Sequence, residues 1–234
     1  MGWYYQSRTV TKEDIEKKIA KLRKKEPDIA PIVLSGNKLA VSWWAKAWNE
    51  NLESYADYSN RIGRGKSYVR KGAVADLKIE KSIVKAQVIG STSKPYKITI
   101  EIDPLSDKVW KQIQDTCSNK IDSLEALLKG EFPEELADLF TNQKTNLFPS
   151  NREIHFNCSC PDWADMCKHV AATLYGIGAK FDEDPMLFFT LRDIDFTVLL
   201  KKTMEQKLDS MLKNAGKKSD RALSDEEAYN LFFS

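Results

Sequence analysis

Histidine and cysteine are scarce in this chain, two and four among 234 residues. An enzyme needs a nucleophile, a base or an open metal, and two histidines leave little room for such a constellation. No apolar run approaches the roughly 20 residues that span a bilayer, so no transmembrane helix is expected. There is no internal repeat and no low-complexity tract, which sets aside solenoids and biased linkers. The opening Met1-Gly2-Trp3-Tyr4-Tyr5-Gln6 has neither the pattern of a secretion signal nor the Ser or Thr of a myristoylation signal. The expected location is the cytoplasm, or the nucleoid if DNA is the partner, and a reducing compartment argues against disulfides.

What is present is a globular composition, 42% hydrophobic with six tryptophans, long enough for one large or two modest cores. The net charge of +2 hides an asymmetry. Residues 1–100 carry 20 Lys or Arg against 10 Asp or Glu, and residues 101–234 carry 16 against 24. A basic first part fits an anionic partner, or docking onto the acidic remainder of its own chain.

Thr11, with Asp14 at the capping-box position, opens a helix striped by Ile15, Ile19 and Leu22. Ser42 opens a second, on which Trp44, Trp48, Leu52 and Tyr55 recur at helix spacing, a pattern typical of core. Trp43 falls one position off that stripe. Residues 60–72 then read as a glycine-punctuated loop bearing Arg61, Arg64, Lys66, Tyr68, Arg70 and Lys71. Its Gly65-Lys66-Ser67 is not a phosphate loop: Asn60 stands where the motif needs Gly, and the strand and helix flank it in the wrong order. The loop suits phosphate contacts with an aromatic for stacking, and it equally suits a solvated loop with intramolecular ion pairs.

Three strands with clean alternation follow, marked by Ala73, Ala75, Leu77 and Ile79, then Val84, Ala86 and Val88, then Tyr96, Ile98, Ile100 and Ile102. Short turns at Lys81-Ser82 and residues 91–95 make them an antiparallel meander with one wet face. Helical spacing returns from Pro104, with Cys117 on the apolar face as a buried small hydrophobe, and continues through Leu124, Leu127, Leu136 and Phe140.

The chemistry is concentrated in Cys158-Ser159-Cys160-Pro161-Asp162-Trp163-Ala164-Asp165-Met166-Cys167-Lys168-His169. Three thiolates and an imidazole complete a tetrahedral set for one Zn²⁺ and leave no position for an activated water. The metal is therefore expected to be structural. Ile154, Phe156 and Cys158 alternate, so the first cysteine pair leaves a short strand. Val170, Ala171, Leu174 and Tyr175 recur at helix spacing, so Cys167 lies at a helix start and His169 inside the helix. A disulfide pair or unrelated buried cysteines would leave His169 at matching spacing unexplained. His155, on the strand, reads as a neighbour of the metal site or as surface. Beyond the zinc helix, Asp184-Pro185 opens a helix through Phe188, Asp193 or Asp195 caps a long one through Leu212, and residues 214–220 read as a linker. A short amphipathic segment then ends on Leu231-Phe232-Phe233.

The fold class expected is α+β: N-terminal helices with a three-stranded meander, more helices, and a small zinc-finger segment with C-terminal helices. The expected organisation is a basic domain over 1–141, a connector at 142–152, a zinc-finger and helical domain over 153–213, and a linker with a short helix over 214–234.

The C-x-C…C-x-H pattern at Cys158, Cys160, Cys167 and His169 resembles the SWIM zinc-finger family. The Ser42-Trp43-Trp44 helix, the Arg61 to Arg70 segment, Lys94-Pro95-Tyr96 and Phe188 to Asp193 are similar to the prokaryotic stand-alone members, a looser likeness over most of the chain. The resemblance implies DNA or protein binding and association with a SWI/SNF-type helicase; the residues themselves, with no carboxylate or serine constellation to pick out, lead to the expectation of no catalytic residues and no small-molecule substrate. Two functions follow: a nucleic-acid-binding accessory protein, with contacts from Arg61, Arg64, Lys66, Tyr68, Arg70 and Lys71, or a protein–protein adaptor working through apolar helices.

Overall fold

The computed structural model describes residues 10–54, 59–117, 126 and 147–215. The fold is α+β, as expected: a four-stranded antiparallel sheet, strand order β1-β2-β3-β4, with helices before and after it. The helices are α1 (Lys12–Arg23), α2 (Trp43–Glu53), α3 (Ser59–Arg70), α4 (Asp107–Cys117), α5 (Lys168–Glu183), α6 (Met186–Leu191) and α7 (Phe196–Ala215). The strands are β1 (Val74–Glu80), β2 (Ile83–Val88), β3 (Tyr96–Ile102) and β4 (Ile154–Cys158).

The meander forms as read, and Ser82 takes a positive φ in the first turn. Its register carries Val84, Ile100 and Phe156 across one row and Ala86, Ile98 and Cys158 across the next. One face is therefore apolar, and the other carries Lys85, Thr99 and Asn157. In β1 the alternation breaks. The ladder shifts between Val74 and Asp76, so Val74, Ala75 and Asp76 are all buried. The buried Asp76 carboxylate accepts the Ala30 N–H at 3.1 Å, and Ile32 N–H donates to Val74 O. Residues 30–32 thereby cover the sheet edge.

Helix α5 is the centre of the molecule. Twelve of its sixteen residues are buried, the mark of a helix enclosed on every side rather than amphipathic. It packs on the apolar sheet face and, on its other side, against α3 and α2. Trp48, fully buried, donates its indole N–H to Leu174 O, and Trp44 donates to Phe181 O. The helix α2 start is tied to the α5 end by Asp182, which accepts the N–H groups of Val41 and Ser42. Trp43 is half-buried, edge-on to Trp44.

Three expectations are corrected. Residues 60–72 are not a loop: α3 runs through them to Arg70. Glycine costs a helix about 1 kcal/mol per residue, but Gly65 lies where a Cβ would come within 2.5 Å of Ala171 Cβ. Close contact with α5 needs glycine there, and that packing outweighs local propensity. The connector at 142–152 does not separate two cores, because Leu147 and Phe148 are buried and one core cluster takes residues from both sides. Phe148 lies edge-on to Trp48 and Phe188. The strand expected within a separate zinc-finger segment likewise belongs to the meander's own sheet, as β4. Last, α7 continues to Ala215, two residues into the expected linker. Asp195 caps α7, accepting from Thr197 N and Val198 N.

The helices expected between residues 118 and 146, the side chain of Cys117 and the segment ending on Leu231-Phe232-Phe233 lie outside the described residues. Among the described residues, no helix is long and apolar enough to cross a membrane.

Candidate metal centre

Two elements deliver the four donors. β4 ends at Cys158, and the ladder to β3 is prolonged one residue further by Ser159 N–H to Lys97 O at 3.0 Å and Lys97 N–H to Ser159 Oγ at 2.9 Å. Those bonds hold the Cys158-Ser159-Cys160 knuckle on the sheet. Cys167 is the N-cap of α5, its sulfur accepting Val170 N–H at 3.5 Å, and His169 lies in the first turn. The expected local placement of all four is what the structure has.

The ligand atoms of Cys158, Cys160, Cys167 and His169 all lie within 4.8 Å of one another, close enough to bind one metal ion. His169 Nδ1 is 3.9 Å from Cys158 Sγ and 3.8 Å from Cys167 Sγ. Those distances make Nδ1 the nitrogen that faces the sulfurs, and among the described residues the buried Nε2 has no hydrogen-bond partner.

The electrostatics favour thiolates at the helix start. The Cys167 thiol is held well below its ordinary pKa by the Cys158 S–H it accepts, by His169 and by the Val170 N–H. Cys158 is pushed up chiefly because its thiol donates to Cys167, and Cys160 is pushed up by burial. A cation between the sulfurs would favour deprotonation of all three, its charge offsetting that of the thiolates.

Two tyrosines fix the imidazole. Tyr96, at the start of β3, lies over it with ring centroids 4.2 Å apart and planes 31° from parallel, and Tyr68 of α3 meets it edge-on at 5.5 Å. Gly90 makes the first contact possible, since a Cβ there would lie 2.4 Å from the Tyr96 ring. Sequence reasoning gave Tyr68 to base stacking and gave Tyr96 no place at the metal. The inward position of Tyr96 in its strand was the only available signal, and it marks core rather than a ligand's neighbour.

The basic residues of 61–71 are dispersed over a helix and its end. Arg61 is bonded to Asp162 of the metal loop at 3.0 Å, and Asp162 also accepts Ala164 N–H. Lys66 pairs with Glu53 at 2.8 Å and lies 5.6 Å above the Tyr175 ring, whose hydroxyl donates to the same carboxylate. Tyr68 is half-buried, its pKa raised by burial, beneath Lys168. Arg64 is exposed, and its charge together with burial lowers the Lys168 pKa, burial being the larger cause. Arg70 Nε donates to Asn37 O and Lys71 Nζ to Val10 O. Gly65-Lys66-Ser67 lies in mid-helix, where backbone N–H groups are already bonded and cannot cradle phosphate.

His155, exposed, contacts Asp103 at 3.1 Å. Behind β4 lies a pair that the sequence did not single out: Arg192, buried after α6, donates to Asp103 O and to Glu153 Oε1, both at 3.0 Å. Glu153 also accepts from Ser150 N and Ser150 Oγ. The ligand strand is thus anchored at its start.

No family model matches the chain, and no solved structure matches it. It is similar to "Uncharacterized protein Rv2102" of Mycobacterium tuberculosis (strain ATCC 25618 / H37Rv), 39% identical over 155 residues. The match covers 66% of this chain and 56% of that protein, so the chain spans about half the length of the relative.

Proposed function

We propose that the ion is zinc, that it is structural, and that the chain is a non-catalytic SWIM-type protein that binds nucleic acid, DNA above all, as an accessory to a SWI/SNF-type helicase. The observation that carries the zinc reading is the Cys158–Cys160–Cys167–His169 cluster. For a tetrahedral zinc with bonds of about 2.3 Å to sulfur and about 2.0 Å to nitrogen, sulfur and nitrogen should stand about 3.5 Å apart. The two S···Nδ1 distances given above are close to that. Four protein donors fill the coordination sphere, which suits a folding role rather than water activation. The nucleic-acid part rests on the resemblance and on the cationic surplus of residues 1–100.

Elemental analysis of the purified chain should find one zinc per molecule. The same sample should bind duplex or single-stranded DNA with an affinity that falls with salt, by a log–log slope of roughly 0.9 per phosphate contacted on duplex. One zinc with no binding at low salt would sink the nucleic-acid reading and leave the metal reading standing.

One observation favours the adaptor instead. On α7, Met204, Leu208, Met211 and Leu212 recur at helix spacing and are each about half exposed or more, an apolar stripe of the kind that partners cover. If that reading is right, a SWI/SNF-type helicase is retained at high salt and lost on Leu208→Glu.

A further inference from the structure

Between α1 and the end of α3 lies an open cavity of about 400 Å³, within the size range of ligand sites. Lys12 and Arg23 stand at its two ends on α1, and Arg70 and Lys71 form the facing wall. Among the lining residues Glu16 is the one carboxylate. None of those four cations is in an ion pair among the described residues. This sets them apart from Arg61 and Lys66, whose charges are met by Asp162 and Glu53. The bonds Arg70 and Lys71 do make, to the carbonyls of Asn37 and Val10, neutralise no charge and hold each side chain in place.

The floor is apolar, formed by Ile19, Leu34 and Val33, the last 76% exposed. Lys12 and Arg23 are eleven residues apart, about 16 Å along a helix. A compact anion would engage one end alone. An extended polyanion with flat apolar groups would engage both ends, the facing wall and the floor together.

We propose that this groove binds nucleotide units of an extended strand: successive phosphate esters met separately by Lys12, Arg23, Arg70 and Lys71, with a base or sugar against Val33 and Ile19. The inference rests on the nucleic-acid reading above: of the contacts expected from the sequence it keeps Arg70 and Lys71, and it adds Lys12 and Arg23 of α1 in place of Arg61, Arg64, Lys66 and Tyr68. The same chemistry is offered by a single strand and by a free mononucleotide, and the cation spacing favours the strand.

The test uses the full zinc-loaded chain and the fluorescence anisotropy of a labelled oligothymidylate of roughly 15 nucleotides, long enough to span the groove. Competitors are adenosine monophosphate and polyglutamate. The Arg23→Ala/Arg70→Ala double variant should weaken strand binding at least tenfold and flatten the salt slope by about 1.4, at roughly 0.7 per phosphate for single strands. Lys111→Ala, which removes an exposed cation of α4 outside the groove, should change affinity less than twofold.

If the double variant binds like the parent while Arg64→Ala weakens binding, the groove assignment is overturned and the nucleic-acid reading survives. Displacement by polyglutamate as effective as by unlabelled strand also overturns it, since any polyanion would then serve. If the parent binds neither strand nor duplex, the nucleic-acid reading falls. In that case the groove stands on adenosine monophosphate binding that the double variant loses, and fails without it.

Discussion

The two ends of α3 carry similar charge and put it to different use. Toward its start and middle, Arg61 is bonded to Asp162 and Lys66 to Glu53 and lies above Tyr175, so cations that look available in the sequence are spent on holding the metal loop, α2 and α5. At its end, Arg70 and Lys71 are bonded to backbone carbonyls, have no ion pair among the described residues, and line a groove with Lys12 and Arg23. A count of lysines and arginines therefore measures potential, and the position of the carboxylates decides where charge is left for a partner.

If the metal end is structural and the groove end is not, perturbations should divide along that line. The largest effect should come from the metal. Structural zinc in finger peptides is worth roughly 10 to 16 kcal/mol, comparable to a whole domain's stability. Chelation, or Cys158→Ser, should therefore unfold β4, the metal loop and α5. Circular dichroism would report it, and because α5 is the centre of the core, the loss should extend to the tertiary signal of the tryptophans. A chain that melts unchanged without metal would refute the structural role.

Next in size is Arg192→Met. Removing one partner of a fully buried ion pair costs about 3 to 5 kcal/mol. Glu153 is 30% exposed and keeps its Ser150 bonds, so the loss here should lie at the low end of that range, with Asp103 O also left without its donor. Denaturant unfolding should show that loss. Acid should loosen the same anchor. Hydrogen bonds from Ser150 and Arg192, with the Arg192 charge, outweigh burial and hold the Glu153 pKa below its ordinary 4.5. Its contribution is then present above about that pH and is lost as pH falls through the lowered value. In Glu153→Gln the slope of stability against pH below that point should flatten.

The smallest effects distinguish the two glycines of α3. Gly65→Ala sets a Cβ against Ala171 and should cost about 1 to 3 kcal/mol despite better helix propensity. At Gly63 a Cβ meets nothing within 4 Å, so Gly63→Ala should stabilise by up to about 1 kcal/mol. Thermal melts of the pair decide it: equal shifts of one sign would mean that α3 is not packed on α5 as described.

Much of this was legible in the chain. The capping box at Thr11 and Asp14, the meander and the four metal donors all follow from patterns set by neighbours within a few residues, and each took its expected place. The errors share a cause. Residues 60–72 read as a loop because glycines disfavour an isolated helix, and nothing nearby in sequence announces that Ala171, more than a hundred residues on, needs Gly65 small. The boundary at 142–152 looked like a linker because its polar residues outnumber Leu147 and Phe148, yet those two are buried in the common core.

The sequence by itself determined the donor set, the strand and helix that present it, and the α+β class, because these depend on periodicity and spacing along the backbone. Only the tertiary structure decided that the strand carrying Cys158 completes the same sheet, that Tyr68 and Tyr96 grip His169, and which cations are met by carboxylates. Those outcomes depend on residues brought together from distant parts of the chain, where close packing and ion pairing act across space and leave no local pattern to read.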